Sequence, residues 1–190
     1  MTSYNQLVSE ILASSNNMEV RPESLLENFS AHQKIFQLTD STKHVRLVLK
    51  YLPVEILAAK EVRNIKNPTK ATLDSVIATY GNVFYFNLKI LGLQGSDIYT
   101  QLHEQNSSDA LNMFLFNEYF QNIKLDGKHY PSVYNYDNTK GVFPGFSFLI
   151  GFDSLLFSKD SSIDISENLL SDSVSFKLKP FALLSKNIIK

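Results

Sequence analysis

Cysteine is absent from all 190 residues. Disulfides, thiol catalysis and Cys-ligated zinc or iron–sulfur centres are therefore excluded. Long apolar runs are missing too, and none approaches the roughly 18 residues that suggest a membrane-spanning helix. No P-loop, Gly-x-Gly-x-x-Gly fingerprint, Gly-x-Ser-x-Gly elbow or Ser-x-x-Lys pair occurs, so the usual signatures of nucleotide binding and of a serine nucleophile are lacking. "GLQG" at 92–95 is too short for such a role. Excess charge is missing as well. The net charge is -1, which gives no overall pull towards nucleic acid.

The charge that is present is uneven. Lys43, Arg46, Lys50, Lys60, Arg63, Lys66 and Lys70 face only Glu55 and Glu61 across 43–70. Asp153, Asp160, Asp164, Glu167 and Asp172 face only Lys159 across 153–172. Two such regions offset each other within one fold, and a docking face at 43–70 is the alternative. Paired carboxylates such as Asp160 and Asp164 are expected in a solvated loop, whereas glycosidase chemistry needs them in a cleft.

Periodicity divides the chain. Tyr4, Leu7, Val8, Ile11 and Leu12 have helical spacing after Ser3, and Pro22 can open a second short helix. Strand signals then dominate. "KIFQL" (34–38) is strand-like, with a turn expected at 39–42. In 44–53, Val45, Leu47, Leu49 and Tyr51 alternate with His44, Arg46, Val48 and Lys50, one face clearly apolar and the other mixed, until Pro53 ends regular pairing. Residues 54–62 read equally as helix or extended chain. Leu73, Val76, Ile77 and Tyr80 predict a helix stopped by Gly81. "VFYFNLKIL" (83–91) is the strongest strand. A short helix is expected over 95–105, and 112–120 permits strand or helix. Val174, Phe176 and Leu178 form one face of a last strand.

Asp126-Gly127 is a strong hairpin dipeptide, because both residue types tolerate positive φ. It predicts a hairpin between "NIKL" and "HYPSVYNY", with Pro131 at an edge or bulge and a second turn at "DNTKG" before the buried strand 146–152. Tyr130, Tyr134 and Tyr136 are placed on one strand face. Tyrosines so arranged either pack across strands or serve as contact residues for sugar or protein. His129 is the best placed of the four histidines for a metal, with Asp126 and Asp137 near in sequence. No known ligand spacing is matched, and the turn explains Asp126, so a surface hairpin is expected instead.

"VRLVLKYLPVEILAAKEV", "VFYFNLKI", "IKLDGKHYPSVYNYD" and "FSFLIGFD" follow one another in an order that resembles immunoglobulin-like sandwich domains of some bacterial surface lipoproteins. The resemblance spans roughly residues 44–180. It implies an exported protein whose lipid-bearing cysteine preceded this chain; neither a lipobox nor a cysteine occurs in the sequence. "MTSYNQLVSEIL" has no basic n-region followed by an apolar stretch, so it does not read as a signal peptide.

The expected fold is mainly β, an immunoglobulin-like antiparallel β-sandwich with short N-terminal and inserted helices, with α+β as the alternative. A helical extension at 1–32 precedes a sandwich at 33–190. The expected function is a non-enzymatic binding or assembly module of an exported or surface complex. It has no catalytic residues, no metal and no cofactor, and its candidate contacts are Tyr130, Tyr134 and Tyr136. A protein partner is expected, with carbohydrate as the alternative. Nucleic acid and a transmembrane segment are not expected, and membrane anchoring follows only if a lipidated N-terminus was removed. The location is outside the cytoplasm, or cytoplasmic if Met1 is the native start. The competing readings are a cytosolic adaptor docking through 43–70 and a metal-dependent hydrolase using His129.

Overall fold

In the computed structural model, the described residues are 9, 13, 37–41, 45–62, 65–93, 118–137, 145–158, 160–166 and 172–178. They are mainly β, with two antiparallel sheets and two α-helices. The helices expected at 4–12, 22–29 and 95–105 fall outside the described residues, apart from Ser9 and Ala13, which are helical and exposed. So do 34–36, 112–117 and most of the "DNTKG" turn. Among the described residues, no helix is long and apolar enough to cross a membrane.

The chain divides into two compact units, residues 1–35 with 51–84, and residues 36–50 with 85–190. The first holds the helices. Pro53 ends the strand before it, and its carbonyl accepts the Ile56 N–H at 3.0 Å and starts α1 (Val54–Val62). The run Leu57-Ala58-Ala59-Lys60-Glu61 favours helix over the extended alternative. Only Lys60 and Glu61 of α1 are exposed. Thr69 caps α2 (Lys70–Thr79), its hydroxyl accepting the Thr72 N–H at 3.2 Å. Gly81, at φ +60°, follows the helix as a left-handed stop. The Tyr80 hydroxyl donates to Glu61 Oε1 at 2.6 Å and ties the two helices together.

The second unit holds the sheets, apart from Tyr51, Leu52, Val83 and Phe84 at the ends of two strands, which belong to the first. The larger has the order β1 (Gln37–Ser41), β2 (Val45–Leu52), β3 (Val83–Gly92), β6 (Gly145–Asp153), β5 (Val133–Asp137). Strand β1 corrects the expected turn at 39–42. Thr39, Asp40 and Ser41 pair with Val48, Leu47 and Arg46. A long neighbouring strand outweighs their local turn preference. In β2, Val45, Leu47 and Leu49 are buried as expected, and Val48 is buried as well. Strand β6 sets Phe146, Phe148, Ile150 and Phe152, all buried, on one face. Its other face carries Gly145, Ser147, Leu149 and Gly151, and there Asn87 of β3 donates to Ser147 Oγ at 2.9 Å.

The smaller sheet has the order β4 (Ile123–Leu125), β7 (Ser162–Ile165), β8 (Val174–Lys177). Its registers put Ile123 opposite Ile165 and Leu125 opposite Ile163, which pair in turn with Val174 and Phe176. All six are buried. The opposite face holds Lys124, Ser162, Asp164, Ser175 and Lys177. One face is thus wholly apolar and the other polar, the alternation of a half-buried antiparallel sheet.

The expected hairpin across Asp126-Gly127 is corrected in its strands but not in its turn. Both residues have positive φ, +52° and +67°. Yet β4 pairs with β7 and β5 pairs with β6, so the strands on either side of the turn enter different sheets. Only the bridge between Leu125 and His129 remains of the hairpin. Residues 118–120, offered as strand or helix, belong to a 3-10 turn, Glu118–Asn122.

Candidate functional site

The three candidate tyrosines separate. Tyr134 and Tyr136 lie opposite Ile150 and Phe148, so they share the aromatic face of β6 and are half-buried. Tyr134 stacks on Phe148 with ring centroids 5.6 Å apart, and Tyr136 lies 5.4 Å from the same ring. Tyr119, fully buried, stacks on Phe148 as well, at 5.4 Å. Phe148 is thus surrounded by three phenols. Burial, with the Tyr119 and Tyr136 phenols alongside, pushes the Tyr134 hydroxyl well above the ordinary phenol range. Its oxygen is shielded from solvent and has no hydrogen-bond partner among the described residues.

Tyr130 precedes β5, and half of its surface is exposed (50%). Phe120 meets its ring edge-on at 6.2 Å and also touches Tyr134 at 5.9 Å. The Lys124 ammonium sits 5.0 Å from the Tyr130 ring centroid, a cation–π contact. Pro131 follows directly and restricts the backbone. Tyr130 is therefore a large amphipathic ring held at the surface by two neighbours. Neither Phe120 nor Lys124 was singled out by the sequence pattern. Lys124 was legible only as the polar residue of "IKL", and Phe120 as one aromatic in an ambiguous run.

Lys124 also begins a row. It lies directly opposite Asp164, which lies opposite Ser175. Direct cross-strand partners share a face, and Ser175 Oγ donates to Asp164 Oδ1 at 2.6 Å. Asp164 also accepts the Ser162 hydroxyl at 3.0 Å. This corrects the solvated-loop expectation for Asp164, which is a half-buried strand residue; Asp160 is exposed in a turn. At the edge of this face, Asp126 accepts Ser161 Oγ at 3.0 Å and the Ser162 N–H at 2.7 Å.

His129 is exposed on the turn, and its carbonyl accepts the Leu125 N–H at 2.8 Å. Among the described residues, no group of three or more His, Asp or Glu is close enough to hold a metal ion. His32, His44 and His103 lie outside the described residues. The basic segment 43–70 divides between the two compact units, with Arg46 and Lys50 in one and Lys60, Lys66 and Lys70 in the other. The chain matches no protein-family model, no curated protein and no solved structure.

Proposed function

We propose that this chain is a non-enzymatic binding or assembly module that engages its partner through Tyr130. The observation that carries the reading is the half-exposed Tyr130 ring, braced by Phe120 and Lys124 beside a strand at the end of its sheet. A braced aromatic loses little conformational freedom on binding and contributes a large contact area. Tyr134 touches Phe120 and shares Phe148 with Tyr136, which links both tyrosines to that brace. The carboxylates of Asp126 and Asp164 are engaged by serine hydroxyls, which suits a scaffold role better than acid–base work.

The test is affinity capture from an extract of the source cells. The wild-type chain should retain a component that Tyr130→Ala loses, with both proteins melting at the same temperature. Equal capture by the two would overturn the reading.

We read the two sheets as the layers of an immunoglobulin-like sandwich. Each has one apolar face, Phe146, Phe148, Ile150 and Phe152 in one and Ile123, Leu125, Ile163, Ile165, Val174 and Phe176 in the other. Such faces pack about 10 Å apart in sandwiches. Nuclear Overhauser contacts between Phe148 and the Ile163 or Ile165 methyl groups test this directly. Export and surface association, implied by the resemblance, belong to the same proposal. A lipobox cysteine upstream in the genomic reading frame would support them, and a natural start at Met1 would sink them.

A further inference from the structure

We propose that the partner group read at Tyr130 is a neutral saccharide, laid across the polar face of the β4-β7-β8 sheet. The inference deepens the binding-module reading and rests on it.

Three observations carry it. A sugar ring has a face of C–H bonds and a rim of hydroxyls that both donate and accept. The first face needs an exposed aromatic plate, and Tyr130 is one, fixed in place by Phe120 and Lys124. The rim needs donors and acceptors in alternation near that plate. The row Lys124, Asp164, Ser175 supplies an ammonium, a carboxylate and a hydroxyl in that order across three neighbouring strands. Strands lie about 4.8 Å apart, so the row runs for about 10 Å, the length of one to two sugar rings.

The third observation is charge. The side chains on or bordering this face include the cations Lys124 and Lys177 and the carboxylates Asp126 and Asp164. Among these described groups the two positive and two negative charges balance, so they offer no net charge to draw an ionic ligand. Serine hydroxyls already engage both carboxylates, which holds their oxygens in fixed positions. A polar face whose described charges balance suits a polyhydroxyl ligand better than an acidic peptide, a phosphate or a nucleic acid.

The experiment titrates the full chain with cellohexaose, maltohexaose, mannohexaose and N-acetylchitohexaose, each by calorimetry and by saturation-transfer NMR. At least one should bind saturably. Tyr130→Ala should weaken that binding tenfold or more with an unchanged melting temperature. Ser175→Ala, at an exposed position, should weaken it by a smaller factor. The affinity should hold between 50 mM and 500 mM salt, since no ion pair to the ligand is involved. Lack of binding across the panel, full binding by Tyr130→Ala, or binding that vanishes at high salt would each overturn the proposal. Capture of a protein through Tyr130 with no saccharide bound overturns it as well, and leaves the binding-module reading standing.

Discussion

The Asp126 carboxylate accepts the Ser162 N–H at 2.7 Å, while the Asp126 N–H donates to the Ser162 carbonyl at 2.8 Å. A turn residue is thereby latched to the first residue of a strand 36 positions later. A hydrogen bond to a charged acceptor contributes about 1.5–3 kcal/mol. Asp126→Ala should therefore cost about 2–3 kcal/mol in urea denaturation. Asp126→Asn keeps an acceptor and tolerates positive φ, so its loss should be smaller. An alanine variant within about 0.5 kcal/mol of wild type would show that the latch is ornamental.

Gly127 sits at φ +67°, and an added Cβ would meet only Asp164 Oδ2, at 3.9 Å. Space is available, so the backbone decides the outcome. Gly127→Val should destabilise by about 1–2 kcal/mol, and Gly127→Asn by less. If the two variants were equally stable, backbone conformation would not be the cause. His129→Ala, on the exposed side of the same turn, should stay within about 0.5 kcal/mol of wild type.

The Tyr134 hydroxyl is buried without a hydrogen-bond partner among the described residues. Leaving such a group unsatisfied costs about 1–3 kcal/mol. Tyr134→Phe should melt at the wild-type temperature or above it, because the stack on Phe148 survives. Tyr134→Ala removes the stack and should cost about 3–5 kcal/mol. A marked loss in the phenylalanine variant would mean that the hydroxyl does bond in solution.

Glu55 is 7% exposed, and burial raises its carboxyl pKa, although a bond from its own backbone N–H pulls the other way. Because the folded-state pKa is raised, Glu55 contributes stability below its unfolded value of roughly 4.3, and that contribution is lost as pH rises through the folded value. Beside it, the Tyr51 hydroxyl is held well above the phenol range by burial first and by Glu55 second. Glu55→Gln should melt above wild type at pH 7, and the gap should close towards pH 4. Thermal melts across that range decide the matter; a constant gap would show that ionisation is irrelevant.

What the sequence could reveal followed the range of the interaction. The Asp126-Gly127 turn was legible because positive φ is a local demand met by those two residue types. Strand 146–152 was legible as a buried run, and the faces of β8 from alternation. Strand partners were not, since Ile123 meets Ile165 and no local signal encodes that register. The same distance hid the serine contacts of Asp126. Thr39-Asp40-Ser41 misled because a paired neighbour outweighs turn preference. In the tyrosine segment, period two placed Tyr134 and Tyr136 together correctly. It also aligned Tyr130 with them, although Tyr130 lies before the strand and turns outward.

The divergence of the chain at Asp126 constrains the order of assembly. β5 finds β6 across a short connection, an inexpensive loop to close. β4 has no strand beside it until Ser162–Ile165 has been made and has folded back. On a ribosome, the aromatic layer around Phe148 can therefore condense while Ile123 and Leu125 still lack the strand that pairs with theirs. That interval is when the nascent chain is most exposed to aggregation, and the Asp126–Ser162 latch closes it.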